Sequence, residues 1–159
     1  MERGHLIRAL ICAAAAAAVA APSAAGAGAI RWSLVASGTT LLNGKQSPTG
    51  YLAQTRAQEA VWFRRLEPAD RTAVRRIGLT RNVAVPAFLD GLPCASHVGV
   101  TSLTRAGSTL TVRIAYTRPP IGVATCVRTS TPYVVVRVGR TALGKPAPRH
   151  VDVVARARA

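Results

Sequence analysis

Apolar and polar residues alternate from residue 109 to residue 118, which is typical of a half-buried strand. The apolar members, which would share one face, are Leu110, Val112, Ile114 and Tyr116. Ala106, Gly107 and Ser108 before this strand predict a turn, so residues 97–105 are expected to form the partner strand of a hairpin.

Further strands are predicted at residues 32–36, 82–89, 123–129, 133–140 and 150–155, of which residues 133–140 begin with an almost unbroken β-branched run. Pro132 is expected at a break or an edge bulge, because proline has no N–H to donate to a sheet. Residues 37–50 are rich in Gly, Ser, Thr and Asn and predict a connection.

Helical spacing is confined to residues 54–66, which Pro68 ends, with a further helical turn allowed at residues 69–76. The side chains expected on the buried side of the helix are Ala57, Val61, Trp62 and Leu66. Several short strands at this spacing predict a mainly β fold, namely a small antiparallel β-sandwich or open barrel with one short N-terminal helix.

Residues 1–27 predict a cleaved secretory signal peptide. Arg3 and Arg8 give it a positive start, an alanine-rich run follows, and residues 22–27 are small apart from one proline. We expect cleavage after Ala27, with cleavage after Ala20 as the alternative. An uncleaved anchor is disfavoured because the apolar run of residues 9–21 is shorter than the roughly 20 residues that span a bilayer. The mature chain, residues 28–159, would then be one β-rich domain that is secreted or extracytoplasmic and has no membrane span.

Removal of the signal peptide would leave two cysteines, Cys94 and Cys126. In an oxidising compartment such a pair normally forms a disulfide. The rival hypothesis is a zinc site in which the two thiols join His97 and His150. The long and irregular ligand spacing favours the disulfide, so we expect no metal and no cofactor.

The charge is strongly positive, with 21 Lys and Arg against 6 Asp and Glu, a net charge of +15. Beside Trp62 and Phe63 lie six clustered arginines, Arg64, Arg65, Arg71, Arg75, Arg76 and Arg81. Basic and aromatic residues together are typical of a polyanion-binding site, and the alternative is a solvated face in an arginine-rich chain. A secreted location disfavours nucleic acid and favours an anionic polymer of the cell envelope, lipid headgroups or an acidic protein.

The sequence gives little support to catalysis. Ser96, His97 and Asp90 supply the residue types of a catalytic triad, but no nucleophile motif surrounds any serine. The three acids at residues 59, 67 and 70 lie among arginines and are interpreted as ion-pair partners. We therefore expect a non-enzymatic protein without catalytic residues.

Short segments between residues 79 and 140 resemble the PrcB C-terminal domain family. They follow a Trp-containing helix and comprise residues 82–85, 88–91, 98–101, 110–112, 119–122 and 131–136. Members are secreted or lipid-anchored bacterial proteins, and the naming member is a non-catalytic partner that stabilises a surface protease complex. The resemblance implies an accessory or protein-binding module whose sheet face or edge meets a partner, for instance a secreted protease. The alternative function is polyanion binding in the cell envelope by the arginines of residues 64–81.

Overall fold

The computed structural model describes residues 29–41, 45, 47–92, 95–118 and 130–158. Its elements in chain order are β1 (Trp32–Leu41), β2 (Thr49–Gly50), α1 (Arg56–Phe63), α2 (Pro68–Arg75), β3 (Asn82–Phe88), β4 (Ser96–Ala106), β5 (Thr109–Thr117), β6 (Ser130–Gly139), α3 (Arg140–Leu143) and β7 (His150–Ala157). The predicted signal peptide, the predicted Cys94–Cys126 disulfide and the predicted strand at residues 123–129 lie outside the described residues.

In the described part of the chain the strands form two sheets. The four-stranded sheet is antiparallel, in the order β1-β6-β3-β2, and the three-stranded sheet has the order β4-β5-β7. The predicted mainly β sandwich is confirmed. The three-stranded sheet is mixed, however, because β7 returns parallel to β5 after the chain has passed through β6 in the other sheet.

Two apolar cores separate three layers. The first lies between the sheets and includes Val85, Val136, Leu110 and Ile114. The second lies between the other face of the four-stranded sheet and the helices, and includes Trp62, Leu66, Val74, Phe88 and Val135. Because the four-stranded sheet is covered on both faces, its central strands β3 and β6 are buried along nearly their whole length. This explains the almost continuous β-branched run of β6.

The predicted hairpin is confirmed as β4 and β5. On β5 the four apolar residues are buried, Arg113 is exposed and the remaining polar positions are half-buried, as the alternation predicted. The turn between the strands places Gly107 at φ +57°, a conformation that glycine adopts without steric cost.

The predicted buried side of the first helix is half confirmed, since Trp62 and Leu66 are buried, whereas Ala57 and Val61 are exposed. Val61 is 70% exposed, and the buried residues of α1 are Glu59 and Trp62. A glutamate can occupy the buried side because Arg56 and Arg75 both lie against its carboxylate. The further helical turn allowed at residues 69–76 is confirmed as a second helix, α2, whereas the single turn α3 was not predicted.

Strand β1 is longer than the sequence indicated, since residues 37–41 pair with β6 instead of forming a connection. Pro132 lies within β6, where its carbonyl accepts a hydrogen bond from the N–H of Leu89 (2.9 Å). Thr39 on β1 stands opposite Pro132 and donates its N–H to Oε1 of Glu67 (3.0 Å). The register of β6 with β1 runs without a shift through Pro132, so the predicted break or edge bulge at this proline is wrong.

The two sheets approach each other at both sides, as in an open barrel. At one side Ala29 bridges to Thr104 of β4, and the N–H of Ile30 donates to the Leu103 carbonyl (2.9 Å). At the other side Gly50 of β2 lies against Val151 of β7. Among the described residues, no helix is both long enough and apolar enough to cross a membrane.

Candidate functional site

The six predicted polyanion-binding arginines lie on and around the helix pair, but they differ in their surroundings. Three of them, Arg65, Arg71 and Arg75, bind groups of the protein itself. The other three, Arg64, Arg76 and Arg81, are exposed. Whether these residues bind a polyanion stays a prediction.

Arg56 and Arg71 hold the ends of the two helices together. Arg71 of α2 donates to the carbonyls of Leu66 (2.9 Å) and Arg64 (2.8 Å) at the end of α1. Arg56 of α1 donates to the carbonyls of Arg75 (2.8 Å) and Ile77 (2.9 Å) at the end of α2. Helix C-termini present carbonyls without a helical partner, so each helix supplies the cation that the other needs.

Arg65 forms an ion pair with a fully buried acid. Its Nη2 lies 2.7 Å from Oδ1 of Asp90, and Thr49 donates to the other carboxylate oxygen (2.5 Å). The guanidinium also lies over the ring of Phe88, 3.7 Å from the centroid. Its Nε and Nη1 are buried and have no hydrogen-bond partner among the described residues. This arrangement neutralises a buried carboxylate and fixes the end of β3 against the helix layer.

The helix pair has a second buried acid, Glu59, which is completely inaccessible to solvent. Arg56 pairs with one carboxylate oxygen, and Nη1 of Arg75 lies 3.4 Å from the other. Arg75 also lies over the ring of Phe63, 4.2 Å from the centroid. The ion-pair prediction is thus confirmed for Glu59.

The ion-pair prediction is wrong for the other two acids of this region, because the carboxylates of Glu67 and Asp70 accept from Thr39 and Tyr133 and form no ion pair within the described residues. Tyr133 donates to Oδ2 of Asp70 (2.6 Å) and accepts from the N–H of Glu67 (3.0 Å). Burial and the hydrogen bond to Asp70 raise the pKa of Tyr133 well above its ordinary value of 10.0. The phenol therefore stays protonated and links β6 to α2, with Gly38 leaving the space that it needs.

Two of the three exposed arginines, Arg64 and Arg76, are separated in space. Arg64 follows α1, whereas Arg76 follows α2, and the reciprocal contacts of Arg56 and Arg71 place these two helix ends at opposite ends of the pair. An eight-residue helix is about 12 Å long, so Arg64 is separated from Arg76 by about that distance. The cluster is compact in sequence and divided in the fold.

A groove of about 490 Å³ lies where the α1–α2 link meets the end of β1. Its lining residues are Thr39, Thr40, Leu41, Arg64, Arg65, Leu66, Glu67 and Arg71. Arg65 and Arg71 are occupied by Asp90 and by carbonyls, and the carboxylate of Glu67 also lines the groove. The positive charge of the groove is therefore largely compensated, which weakens it as an anion site.

The described residues do not support the catalytic triad or the zinc site that the sequence analysis considered. Both oxygens of Asp90 are taken by Arg65 and Thr49. His97, expected to be a half-buried strand residue, is exposed at φ +46°, and His150 is exposed at the start of β7. No three His, Cys, Asp or Glu residues of the described part form a cluster that could hold a metal ion. The two cysteines of the zinc hypothesis lie outside that part.

Two surface features were missed by the sequence analysis. The first is on β1, where Leu34 is 55% and Leu41 77% exposed. The register pairs these residues with Val136 and Ser130, which places both on the same side of this edge strand, and Leu41 also lines the groove at the α1–α2 link. Nothing in the polar composition of residues 37–41 indicated that Leu41 belongs to a strand.

The second feature is the outward face of the three-stranded sheet, which carries three exposed arginines. We call Arg113, Arg156 and Arg158 the sheet-face arginines. Arg113 was already placed on the polar side of its strand by the alternation, and Arg156 and Arg158 continue a period of two at the end of β7. Their separation in sequence hid the fact that they share one face.

No family model, curated protein or solved structure matches the chain.

Proposed function

We propose that this chain is a non-enzymatic extracytoplasmic binding module that meets a partner protein through the side chains of strand β1. The observation that carries the proposal is the exposure of Leu34 (55%) and Leu41 (77%) on one face of an edge strand. A single exposed leucine is ordinary, whereas two on one side of an edge strand, about 20 Å apart with the exposed Ser37 and Thr39 between them, offer a partner two separate apolar anchors.

The partner would contact side chains and not the hydrogen-bonding edge of the strand. The edge N–H of Thr39 is already bound by Glu67, and the ladder has a bulge between Leu34 and Ala36. Both features are common protections against the addition of a foreign strand. The resemblance to the PrcB C-terminal domain family suggests a secreted protease as the partner.

Polyanion binding by the arginines of residues 64–81 is less well supported as the main function. Half of that set binds carbonyls or buried acids, and two of the three exposed members, Arg64 and Arg76, lie at opposite ends of the helix pair.

Photo-cross-linking from residue 34 or 41 in the medium or envelope of the producing cells tests the proposal. We expect both positions to capture the same protein and position 61, which is exposed to a similar degree on α1, to capture none. Capture of the same protein from all three positions, or from none, would contradict a specific contact at β1.

The captured protein is then purified and its affinity measured. Leu34→Glu with Leu41→Glu should weaken binding by about 2 kcal/mol or more, about 30-fold in Kd, since two desolvated anchors are lost. Val61→Glu is the matched control and should change affinity little. Because the contact is apolar, we expect only a weak dependence on salt.

A further inference from the structure

The sheet-face arginines form a compact basic face. Arg113 pairs with Val154, and the adjacent outward position of β5, Ala115, pairs with Arg156. Arg113 and Arg156 are therefore diagonal neighbours, with backbones about 7–8 Å apart. Arg158 follows Arg156 by two residues, which is about 7 Å along a strand. The backbones of the three arginines thus follow one another along one face, which also carries one exposed acid, Asp152, two positions before Val154.

This face is open to a ligand. Its flanking residues on β4 and β5 are short, namely Gly99, Ser102, Ala115 and Thr117. The guanidinium of Arg158 extends across β5 until its Nη2 would be 3.5 Å from a Cβ at Gly99. None of the three arginines makes an ion pair or a side-chain hydrogen bond within the described residues. Their donors are therefore available to an external acceptor.

We propose that this face binds a linear polyanion whose charges are phosphodiesters. Guanidinium groups match phosphate oxygens bidentately, and three of them on one face, none bound to another group of the protein within the described residues, suit a chain of successive phosphates. This goes beyond the protein contact proposed for β1 and does not depend on it.

A polymer fits the face better than a lipid bilayer does. The large apolar residues that are exposed in the described part are Leu34, Leu41 and Val61, and none of them belongs to this face. The face therefore offers nothing to insert among acyl chains, and three cations alone hold a protein only weakly at an anionic membrane.

The test uses the full mature protein and lipid-free poly(glycerol phosphate) as the probe. Arg113→Gln, Arg156→Gln and Arg158→Gln are combined in one variant. The matched control combines Arg64→Gln, Arg76→Gln and Arg81→Gln, which removes three exposed arginines on the helix side. Both variants have the same net charge, so a difference between them reports location.

We expect the sheet-face variant to lose roughly 100-fold in affinity at about 0.1 M salt, and the slope of log K against log salt to become less steep by about 2. The control should stay close to the parent in both quantities. The melting temperatures of both variants should match the parent, since all six side chains are exposed.

Equal losses in the two variants would overturn the proposal, because net charge alone would then account for binding. So would an unchanged affinity of the sheet-face variant. Binding to phosphatidylglycerol vesicles without binding to the lipid-free polymer would assign the face to a membrane and would also overturn it.

Discussion

Arginines beside the helices and arginines on the three-stranded sheet carry the same charge in opposite surroundings. Near α1 and α2, Arg56, Arg65, Arg71 and Arg75 bind main-chain carbonyls or buried carboxylates. The sheet-face arginines are exposed and bind no acid in the described residues. Layering explains the difference, because covered helix ends leave carbonyls that need donors, whereas strand carbonyls are satisfied by the ladder.

The acidic residues follow the same division. Glu59 and Asp90 are fully buried in the helix layer and each is neutralised by arginine. Asp152 lies on the outward side of β7 and is exposed. Clustering of arginines in sequence is therefore a poor guide to their function here, and the layer into which each side chain points is a better one.

The largest effect should come from breaking the Arg65–Asp90 pair. Arg65→Met leaves a buried carboxylate without its cation and should lower the free energy of unfolding by about 3–5 kcal/mol. Urea unfolding measures it, and Arg64→Met at the neighbouring exposed position is the control, expected within about 0.5 kcal/mol of the parent. Similar stability of the two variants would remove the distinction between these adjacent arginines.

Two glycines give a smaller test of the same contrast. An added Cβ at Gly38 would lie 2.8 Å from the Tyr133 hydroxyl, whereas at Gly99 its nearest contact is the flexible end of Arg158 at 3.5 Å. We expect Gly38→Ala to destabilise the protein by about 1–3 kcal/mol through overpacking. Gly99→Ala should be neutral or slightly stabilising, as measured by thermal unfolding. If both substitutions are tolerated, the contact between Gly38 and Tyr133 is looser than the structure indicates, and the contrast between the two positions is contradicted.

A still smaller effect is expected at the reciprocal helix contacts. Arg71→Met removes two hydrogen bonds to the carbonyls that end α1 and should cost about 1–2 kcal/mol. Arg76→Met, at the exposed position after α2, should cost less than about 0.5 kcal/mol. Hydrogen exchange of the amides around residues 64–67 should rise in the first variant alone, and an equal rise in both would argue against a local contact.

The strands were predictable where burial of one or both faces imposes a simple pattern of apolar residues along the sequence. β5 has one covered face, so its alternation gave both its bounds and its buried residues. β6 was found as an almost unbroken β-branched run, because both faces of its sheet are covered. The parallel pairing of β7 with β5 depends on the path of the chain through the other sheet, and nothing within residues 150–157 indicates it.

The errors have equally local causes. Val61 looked like a core residue, but Glu59 takes the buried side because Arg56 and Arg75 neutralise it, which hydrophobic spacing does not register. Residues 37–41 looked like a loop because Ser, Gly and Thr are poor strand signals, yet β6 beside them supplies the pairing. The arginine cluster was predicted because its members are close in sequence. In the fold, Arg64 and Arg76 lie at opposite ends of the helix pair.

The division between bound and free arginines is tested most directly by unfolding two double variants of equal charge in urea under one buffer. Arg71→Gln with Arg75→Gln removes two arginines from the helix layer, and Arg113→Gln with Arg156→Gln removes two from the sheet face. We predict a loss of about 3 kcal/mol for the first, from charge-assisted hydrogen bonds and a buried pair. For the second we predict a change within about 0.5 kcal/mol. Equal losses of stability in the two double variants would contradict the account.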